Sequence, residues 1–298
     1  MMQDKILSLD TQRATVRGER PIGAILVEEG HIVQGDIERV LDVQRANGVR
    51  FGEAAVQLGL VTEEAVRYAL ARQFDFPHLA PTPAGGATGA SHELVAAYAP
   101  FHPRSEEIRA LRTQLLIRWY DRDAGRTALV VTSPGAGEGR SYIAANLAVA
   151  FSQLGARTLL VDADLRKPRQ AEIFGLPSGQ GLSTLLSGRS DHKGAFPVAG
   201  LARLSVLPSG PLPPNPQELL SRASFAALIR EMQSLHDVVI LDTPPAVAYA
   251  DAQSITFRTG DALVVARKNH TKVEATSRVI RELAGTGARV VGTVVNDF

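Results

Sequence analysis

The chain has 298 residues, 45% of them apolar, which is enough for one large domain and one small one. Its net charge of +1 gives no reason to expect nucleic acid as a partner, and the absence of cysteine excludes disulfides and thiolate metal sites. No apolar run approaches the roughly 18–20 residues of a membrane span and the N-terminus lacks a signal-peptide core, so we expect a cytoplasmic protein that reaches a membrane only through a partner.

Residues 1–20 are polar and are predicted to be a loose lead-in, and an internal repeat follows them. Residues 21–44 align without gaps with residues 50–73. The identical pairs are Gly23/Gly52, Val27/Val56, Gly30/Gly59, Leu41/Leu70 and Gln44/Gln73. Each unit predicts a short helix ended by a glycine and then a second helix, which Thr62 opens in unit two. The repeat therefore predicts helix pairs that bury their apolar faces against each other.

This tandem, over about residues 21–79, resembles the N-terminal domain of type II secretion and pilus ATPases (the MshEN type), in which two such motifs bind cyclic di-GMP. Unit two keeps the initial arginine of the motif, whereas unit one begins with Pro21. The residues that the resemblance implies for cyclic di-GMP are Arg50, Gly52 and Gln73 of unit two with Gly23 and Gln44 of unit one. The alternative is a helical docking module that binds protein and no nucleotide.

Residues 80–104 have the glycine- and proline-rich composition of a flexible linker, interrupted at residues 93–101 by an apolar stretch that can pack on a neighbour. An amphipathic helix is predicted over residues 105–119. Glu106, Arg109 and Arg112 share one side of this helix. The simplest interpretation of these three residues is a solvated face with weak intrahelical ion pairs.

The stretch TSPGAGEGRSYIAANLA, residues 132–148, follows the apolar run Ala128–Val131 and leads into a helical pattern. Its glycines allow several backbone N–H groups to converge at the positive end of a helix dipole, which is typical of a phosphate site. The strict P-loop pattern GxxxxGK[ST] would place a glycine at Pro134 and a lysine at Arg140. The sequence therefore predicts a deviant P-loop.

Two further apolar runs end in aspartates: VDADLRKP at residues 161–168 and VVILDTPP at residues 238–245. Strands are predicted over 127–132, 158–162, 204–207, 237–241, 262–266 and 290–295, and helices over 140–154, 215–233 and 271–285. This alternation predicts an α/β fold with a doubly wound parallel sheet, beside a small and mostly helical N-terminal domain. Ligands bind at the carboxyl ends of such strands, where Ser141, Asp162 and Asp242 would meet.

The deviant P-loop, DADLRKP, PPNPQELL and DTPPAVAYADA, in this order, resemble the bacterial tyrosine kinases (BY-kinases) of polysaccharide export, whose domain has the MinD/ParA-like P-loop NTPase fold. The match covers about residues 105–298, and Arg140 with the N-terminal repeat looks most like the EpsG-type kinases that determine chain length. The resemblance implies ATP and Mg²⁺ as cofactors. It also implies a homo-oligomer and a partner, a membrane chain-length regulator (polysaccharide co-polymerase) of the inner membrane.

The resemblance also implies roles for single residues. The phosphates would be bound by Gly135, Gly137, Glu138, Gly139, Arg140, Ser141 and Tyr142. Magnesium would be bound by Ser141, Asp162 and Asp242, and the catalytic residues would be Asp162, Asp164 and Arg140, with Asp162 accepting the tyrosine proton. Glu106, Arg109 and Arg112 match the E-x-x-R-x-x-R helix that joins subunits. The alternative for the aspartates is capping or bracing of loops.

Two departures from the family leave the activity open. Arginine at position 140 is longer and planar where lysine is a compact charge, and none of the five tyrosines follows Tyr249. We therefore expect either a kinase with its acceptor on another protein or an ATP- and cyclic di-GMP-binding switch without phosphotransfer. Tyr142 is expected to pack in its helix. A positioning ATPase of the MinD/ParA kind is disfavoured by PPNPQELL and by the lack of a terminal amphipathic helix.

Overall fold

The computed structural model describes residues 20–74, 76–79, 89–189 and 194–298. These residues form two compact units, one that ends at His78 and one that runs from Leu79 to Phe298. The predicted lead-in lies outside the described residues except for Arg20. In the described part of the chain, no helix combines the length and the apolar character that a membrane crossing requires.

The small unit consists of the two predicted helix pairs. The first is α1 (Ile22–Glu28) and α2 (Gln34–Asn47), and the second is α3 (Phe51–Gln57) and α4 (Glu63–Gln73). Gly30 and Gly59 follow α1 and α3 with φ angles of +75° and +67°, which is the left-handed conformation that ends a helix. The Thr62 hydroxyl accepts a hydrogen bond from the Ala65 N–H at 3.1 Å and caps α4 as predicted.

Gly23 and Gly52 are buried in this unit, and neighbouring side chains lie too close to them for a larger residue to fit. A Cβ atom on Gly52 would lie 2.4 Å from Val66 Cγ1, and one on Gly23 would lie 3.0 Å from the Phe51 ring. Ile25, Leu26, Val40, Ala55 and Ala69 form part of the shared apolar core. The repeated glycines thus have a packing role.

The large unit begins with residues that the sequence assigned to a linker. Residues 80–88 lie outside the described residues, whereas Leu94, Ala97 and Tyr98 are buried in the main core of the large unit. Two helices follow, α5 (Val95–Tyr98) and α6 (Pro103–Arg118). The apolar stretch at 93–101 therefore packs within the same unit as the predicted nucleotide site.

Seven strands form one sheet in the described residues, in the order β3-β4-β2-β5-β1-β6-β7. They are β1 (Ala128–Thr132), β2 (Thr158–Asp162), β3 (Phe196–Pro197), β4 (Leu204–Leu207), β5 (Val238–Asp242), β6 (Asp261–Arg267) and β7 (Arg289–Asn296). All neighbours are parallel except β3 and β4. The central position of β1 between β5 and β6 places the loop that follows β1 at the middle of the carboxyl edge.

The connecting helices are α7 (Arg140–Gln153), α8 (Gln170–Ile173), α9 (Leu182–Leu186), α10 (Pro216–Ser221), α11 (Ala223–Leu235), α12 (Asp251–Thr259) and α13 (Val273–Gly285). Alternate residues of one strand enter different cores: Leu129 and Val131 pack with α7, whereas Ala128 and Val130 pack with the opposite helices. This confirms the doubly wound sheet. The predicted helix 215–233 is two helices, because the extended backbone of Arg222 interrupts it.

Candidate active site

The loop between β1 and α7 is held in shape by its own side chains. Ser133 Oγ donates to the Gly135 carbonyl at 2.7 Å, and the Gly135 N–H donates to Glu138 Oε2 at 2.8 Å. The other oxygen of Glu138 accepts from Thr271 Oγ1 at 2.5 Å, and only 3% of Glu138 is exposed. Glu138, predicted to contact phosphate, therefore braces the loop with its side chain.

Two glycines give this loop its curvature. Gly137 and Gly139 have φ angles of +73° and +85°. A Cβ atom on Gly139 would lie 1.9 Å from Asn296 Nδ2, and this amide donates to the Glu138 carbonyl at 3.3 Å. Asn296, at the end of β7, is a loop contact that the sequence did not identify, because it is 157 positions from Gly139 with no motif around it.

The curved loop presents unused donors. In the described part of the chain, the backbone N–H groups of residues 137–141 donate to no protein acceptor. They lie at the start of α7, whose dipole adds positive potential at the same place. This cradle of N–H groups has the chemistry that binds phosphate oxygens, as the glycine spacing predicted.

Three carboxylates lie beside the cradle at the tips of neighbouring strands. Asp162 and Asp242 are register partners at the ends of β2 and β5. Asp164 follows Asp162 by two residues, and all three are almost fully buried, with exposures of 0%, 0% and 2% for Asp162, Asp242 and Asp164. The structure thus brings together the aspartates that the sequence assigned to separate motifs.

The guanidinium group of Arg140 lies between two of these carboxylates. Its Nε donates to Asp242 Oδ1 at 2.8 Å and its Nη2 donates to Asp164 Oδ2 at 3.0 Å. Nη2 also lies 3.5 Å from Ser141 Oγ. Arg140 is 9% exposed, so this ion-pair network is almost closed to solvent. Arg140 thus contacts the acidic side of the site.

Asp162 braces the loop that follows β2. Its Oδ2 accepts the N–H groups of Arg169 and Gln170 at 3.0 and 2.9 Å, and its Oδ1 accepts the N–H of Asp164 at 3.2 Å. Burial, and then the negative charge of Asp242, raise the pKa of Asp162 well above its ordinary value. The loop-bracing role considered from the sequence is therefore present, and its catalytic role stays a prediction.

Gln170 is a site residue that the sequence did not identify. Its side-chain Nε2 donates to Asp242 Oδ2 at 2.7 Å and to the Ser141 carbonyl at 3.1 Å. The residue is fully buried. The sequence shows only a polar residue directly after RKPR. Its partner Asp242 is 72 positions away, so the sequence does not indicate the contact.

The carboxylate and hydroxyl oxygens of this site have the chemistry of ligands for a divalent cation. The guanidinium of Arg140 is a positive charge within hydrogen-bond distance of Asp164 and Asp242, so the site already stabilises a cation. Among the described residues, no three acidic or histidine side chains form a complete metal cluster. Magnesium uses one or two carboxylates and completes its octahedron with water and phosphate oxygens, so the predicted set of Ser141, Asp162 and Asp242 would be large enough. Metal binding by these residues stays a prediction.

The remaining predicted residues are placed as follows. Tyr142 is half-buried against the main core, and burial raises the pKa of its hydroxyl, in line with a packing role. On α6, Arg109 pairs with Glu106, whereas Arg112 donates to the Ala150 carbonyl at 3.0 Å. The Arg112 side chain thus makes a hydrogen bond within its own chain. The subunit contact through these three residues stays a prediction.

In the small unit, the residues proposed for cyclic di-GMP are spread over both repeat units. Gly23 and Gly52 are buried, Gln44 and Gln73 are partly buried and Arg50 is exposed. The backbone N–H of Arg50 donates to Glu53 Oε2 at 3.0 Å. Ligand binding at these positions stays a prediction.

Comparison with known proteins supports the nucleotide site. Residues 125–297 match the ParA family model, described as "NUBPL iron-transfer P-loop NTPase". The tyrosine-protein kinase YwqD of Bacillus subtilis (strain 168) is 37% identical over 203 residues, which are 68% of this chain and 85% of YwqD.

Solved structures give the same assignment. The chimerical protein CapA2B2 has a TM-score of 0.65 and 35% identity, covering 77% of this chain and 97% of that chain. The kinase domain of the Escherichia coli tyrosine kinase ETK has a TM-score of 0.67 and 26% identity, covering 73% of this chain and 84% of that chain. With a P-loop, three aspartates at adjacent strand tips and these similarities, the chain belongs to the bacterial tyrosine kinases, within the ParA-like P-loop NTPases.

Proposed function

We propose that the protein is an ATP-dependent protein tyrosine kinase that transfers the γ-phosphate of ATP to a tyrosine of another protein and so controls exopolysaccharide chain length. The observation that carries this proposal is the meeting of a free N–H cradle at residues 137–141 with the buried carboxylates Asp162, Asp164 and Asp242. Phosphoryl transfer needs positioning and neutralisation of charge more than covalent chemistry, and these parts supply both.

In this proposal the cradle holds the phosphates, and Ser141 Oγ and Asp242 hold Mg²⁺. When bound, Mg²⁺ would neutralise charge that develops on the phosphate oxygens. Asp162 accepts the proton of the incoming tyrosine hydroxyl, and Asp164 keeps the loop after β2 in place through the N–H groups of Arg166 and Lys167. Arg140 must then turn from the carboxylates to the phosphates, because its guanidinium group bridges Asp164 and Asp242.

The partner in this proposal is the cytosolic segment of an inner-membrane chain-length regulator, and the protein works as a homo-oligomer at the cytoplasmic side of that membrane. The support is the family membership, together with the E-x-x-R-x-x-R pattern of Glu106, Arg109 and Arg112 on α6. Of these three, Glu106 is the most accessible, with 67% of its side chain exposed. It is the residue at which a subunit contact is best tested.

The test is a phosphotransfer assay with purified protein, labelled ATP, Mg²⁺ and candidate tyrosine-containing partners. We expect phosphotyrosine with the wild-type protein and none with Asp162→Asn. As a matched control, Asp42→Asn changes a carboxylate of the small unit whose side chain is 76% exposed, and it should leave labelling unchanged. Nucleotide binding without label on any partner would remove the kinase proposal.

A second candidate is an ATP-dependent switch without phosphotransfer, and the position of Arg140 favours it. A guanidinium bonded to two of the site's carboxylates can report nucleotide binding by releasing them, without any chemistry. In this case ATP-analogue binding alone would change the affinity for the membrane partner. A partner affinity that is the same with and without the analogue would exclude the switch.

We also propose that the small unit can supply the second input of such a switch, by binding cyclic di-GMP. The duplicated helix pairs and the exposed Arg50 at the start of α3 support this proposal. Calorimetry should show binding by the wild-type protein that Arg50→Ala weakens and Arg45→Ala does not, because Arg45 lies in the spacer between the two repeat units. Binding that does not depend on Arg50 would exclude the proposed site.

A further inference from the structure

The side chain and backbone of Gln170 contact all three parts of the site. Its N–H donates to Asp162 Oδ2 at 2.9 Å, at the tip of β2. Its side-chain Nε2 donates to Asp242 Oδ2 at 2.7 Å, at the tip of β5, and to the Ser141 carbonyl at 3.1 Å, in the first turn of α7. No other described residue bonds to Asp162, Asp242 and Ser141 together.

The orientation of the Gln170 amide is set by its partners. Only the nitrogen of an amide can donate to both a carboxylate and a carbonyl oxygen, so Nε2 faces Asp242 and Ser141. The amide oxygen Oε1 is then buried without a hydrogen-bond partner among the described residues. An orphaned buried acceptor is unfavourable for folding, and an apolar side chain of the same length would avoid it. The amide is therefore poorly explained as core packing.

The two oxygens of Asp242 are held from opposite sides. Oδ1 accepts from Arg140 Nε and Oδ2 accepts from Gln170 Nε2. When Arg140 turns toward the phosphates, the bond from Gln170 is the side-chain hydrogen bond that still fixes this carboxylate. The rotamer of Asp242 then depends on Gln170, and so does the direction in which Oδ1 points.

We propose that Gln170 is a positioning residue of the nucleotide site, which orients Asp242 for the divalent cation and offers Oε1 as an acceptor to a donor that enters with the nucleotide. This inference rests on the proposed function, because it concerns the same cation and nucleotide. It assigns Gln170 no contact with the reacting atoms. Its effect should appear in the Mg²⁺-dependent part of nucleotide binding.

The test compares Gln170→Met with Gln153→Met. Gln153 is also a buried glutamine, and it lies at the opposite end of α7 from Ser141, where its Nε2 donates to the Ala96 carbonyl at 2.8 Å. Binding of a fluorescent ATP analogue is measured with Mg²⁺ and with EDTA, and thermal unfolding of the nucleotide-free protein is measured in parallel. For Gln170→Met we expect the gain in affinity from Mg²⁺ to fall by about tenfold or more, with binding in EDTA changed by less than about twofold.

The control should lose thermal stability to a similar extent and keep the full Mg²⁺ gain. An unchanged Mg²⁺ gain in Gln170→Met would overturn the proposal, as would an equal loss of affinity with and without Mg²⁺. If Gln170→Met does not fold, Gln170→Leu is assayed; if neither folds while Gln153→Met does, Gln170 is structural only and the proposal is withdrawn. Absence of nucleotide binding by the wild-type protein in both conditions would instead refute the proposed function.

Discussion

Strand β5 has one buried carboxylate at its amino end and three at its carboxyl end, and the two ends differ in how this negative charge is compensated. At the amino end, Asp237 is paired with two guanidinium groups, those of Arg122 and Arg157, whose side chains are 53% and 43% exposed. At the carboxyl end lie three buried carboxylates, and the guanidinium of Arg140 bonds two of them, Asp164 and Asp242.

The difference shows at which end of β5 the negative charge is already compensated. The cluster around Asp237 has more positive than negative charge and hydrogen-bond donors for both carboxylate oxygens, so it gains little from a further cation. The cluster around Asp242 has an excess of negative charge where burial prevents screening by water. A bound divalent cation would correct that excess. The same strand therefore has a structural ion pair at one end and the proposed cation site at the other.

The comparison is tested most strongly by Asp242→Asn. This variant removes the charge but keeps the shape, and Gln170 Nε2 can still donate to its amide oxygen. We expect Mg²⁺-dependent nucleotide affinity and phosphotransfer to fall on the order of 100-fold, because a buried carboxylate at a magnesium–phosphate site has no replacement. Titration with a fluorescent ATP analogue measures the affinity. A loss smaller than about threefold would contradict the assignment of the cation site.

The sequence predicts one of these ends far better than the other. The glycine spacing, the strand that ends at Asp162 and the DTPP stretch that begins at Asp242 predict the nucleotide site, because a glycine-rich turn and the end of an apolar strand are visible in the local sequence. The pairing of Asp237 with Arg157 and Arg122 has no motif and depends on side chains 80 and 115 positions away.

The sequence did not identify Gln170 for the same reason. Its backbone role follows from the loop after Asp162, but its bond to Asp242 depends on the exact placement of α8 against β5. The packing of residues 89–104 into the large unit was also hidden, since their glycine- and proline-rich neighbours suggested a linker. Each of these features depends on contacts between segments that are far apart in the sequence.

The matching change at the amino end is Asp237→Asn, which should affect stability and leave the nucleotide site alone. It leaves two arginines without their carboxylate, and because both are about half exposed we expect a loss of about 2 kcal/mol in the free energy of unfolding. Urea denaturation measures this loss. Nucleotide affinity should stay within about twofold of the wild-type value. A clear loss of affinity would mean that the two ends of β5 are coupled.

The stability contribution of Asp237 should also depend on pH. Burial by itself would raise the pKa of Asp237, but the hydrogen bonds and charge of Arg157, with Arg122, outweigh it and lower the pKa to about 2. Because the folded pKa lies below the unfolded value of about 3.9, the contribution is complete above that value and is lost as the pH falls toward about 2.

We expect this contribution to be about 1–2 kcal/mol after allowance for screening of the exposed guanidinium groups. The measurement is the difference in unfolding free energy between the wild-type protein and Asp237→Asn, taken at a series of acidic pH values. The difference should shrink between about pH 4 and pH 2. A difference that stays constant over this range would show that the charge of Asp237 is not responsible.

The smallest effect that we predict is that of Arg140→Lys, which changes the cation at the carboxyl end of β5. In Arg140→Lys, a single ammonium group replaces the fork that bonds Asp242 and Asp164 at once, so it competes less with Mg²⁺ for these carboxylates. We expect the affinity for Mg²⁺–nucleotide to rise by about threefold to tenfold, corresponding to roughly 1 kcal/mol. Calorimetry at several Mg²⁺ concentrations measures it.

Arg267→Lys is the matched control, because Arg267 lies 3.5 Å from the Gly137 carbonyl on the same loop and is not bonded to Asp164 or Asp242. Its Mg²⁺ dependence should equal that of the wild-type protein. A fall in affinity in Arg140→Lys would mean that the arginine binds phosphate better than lysine does, and that its bonds to the carboxylates do not oppose cation binding. A rise would identify Arg140 as an internal cation that the metal must displace, which is the property that separates the carboxyl end of β5 from the amino end.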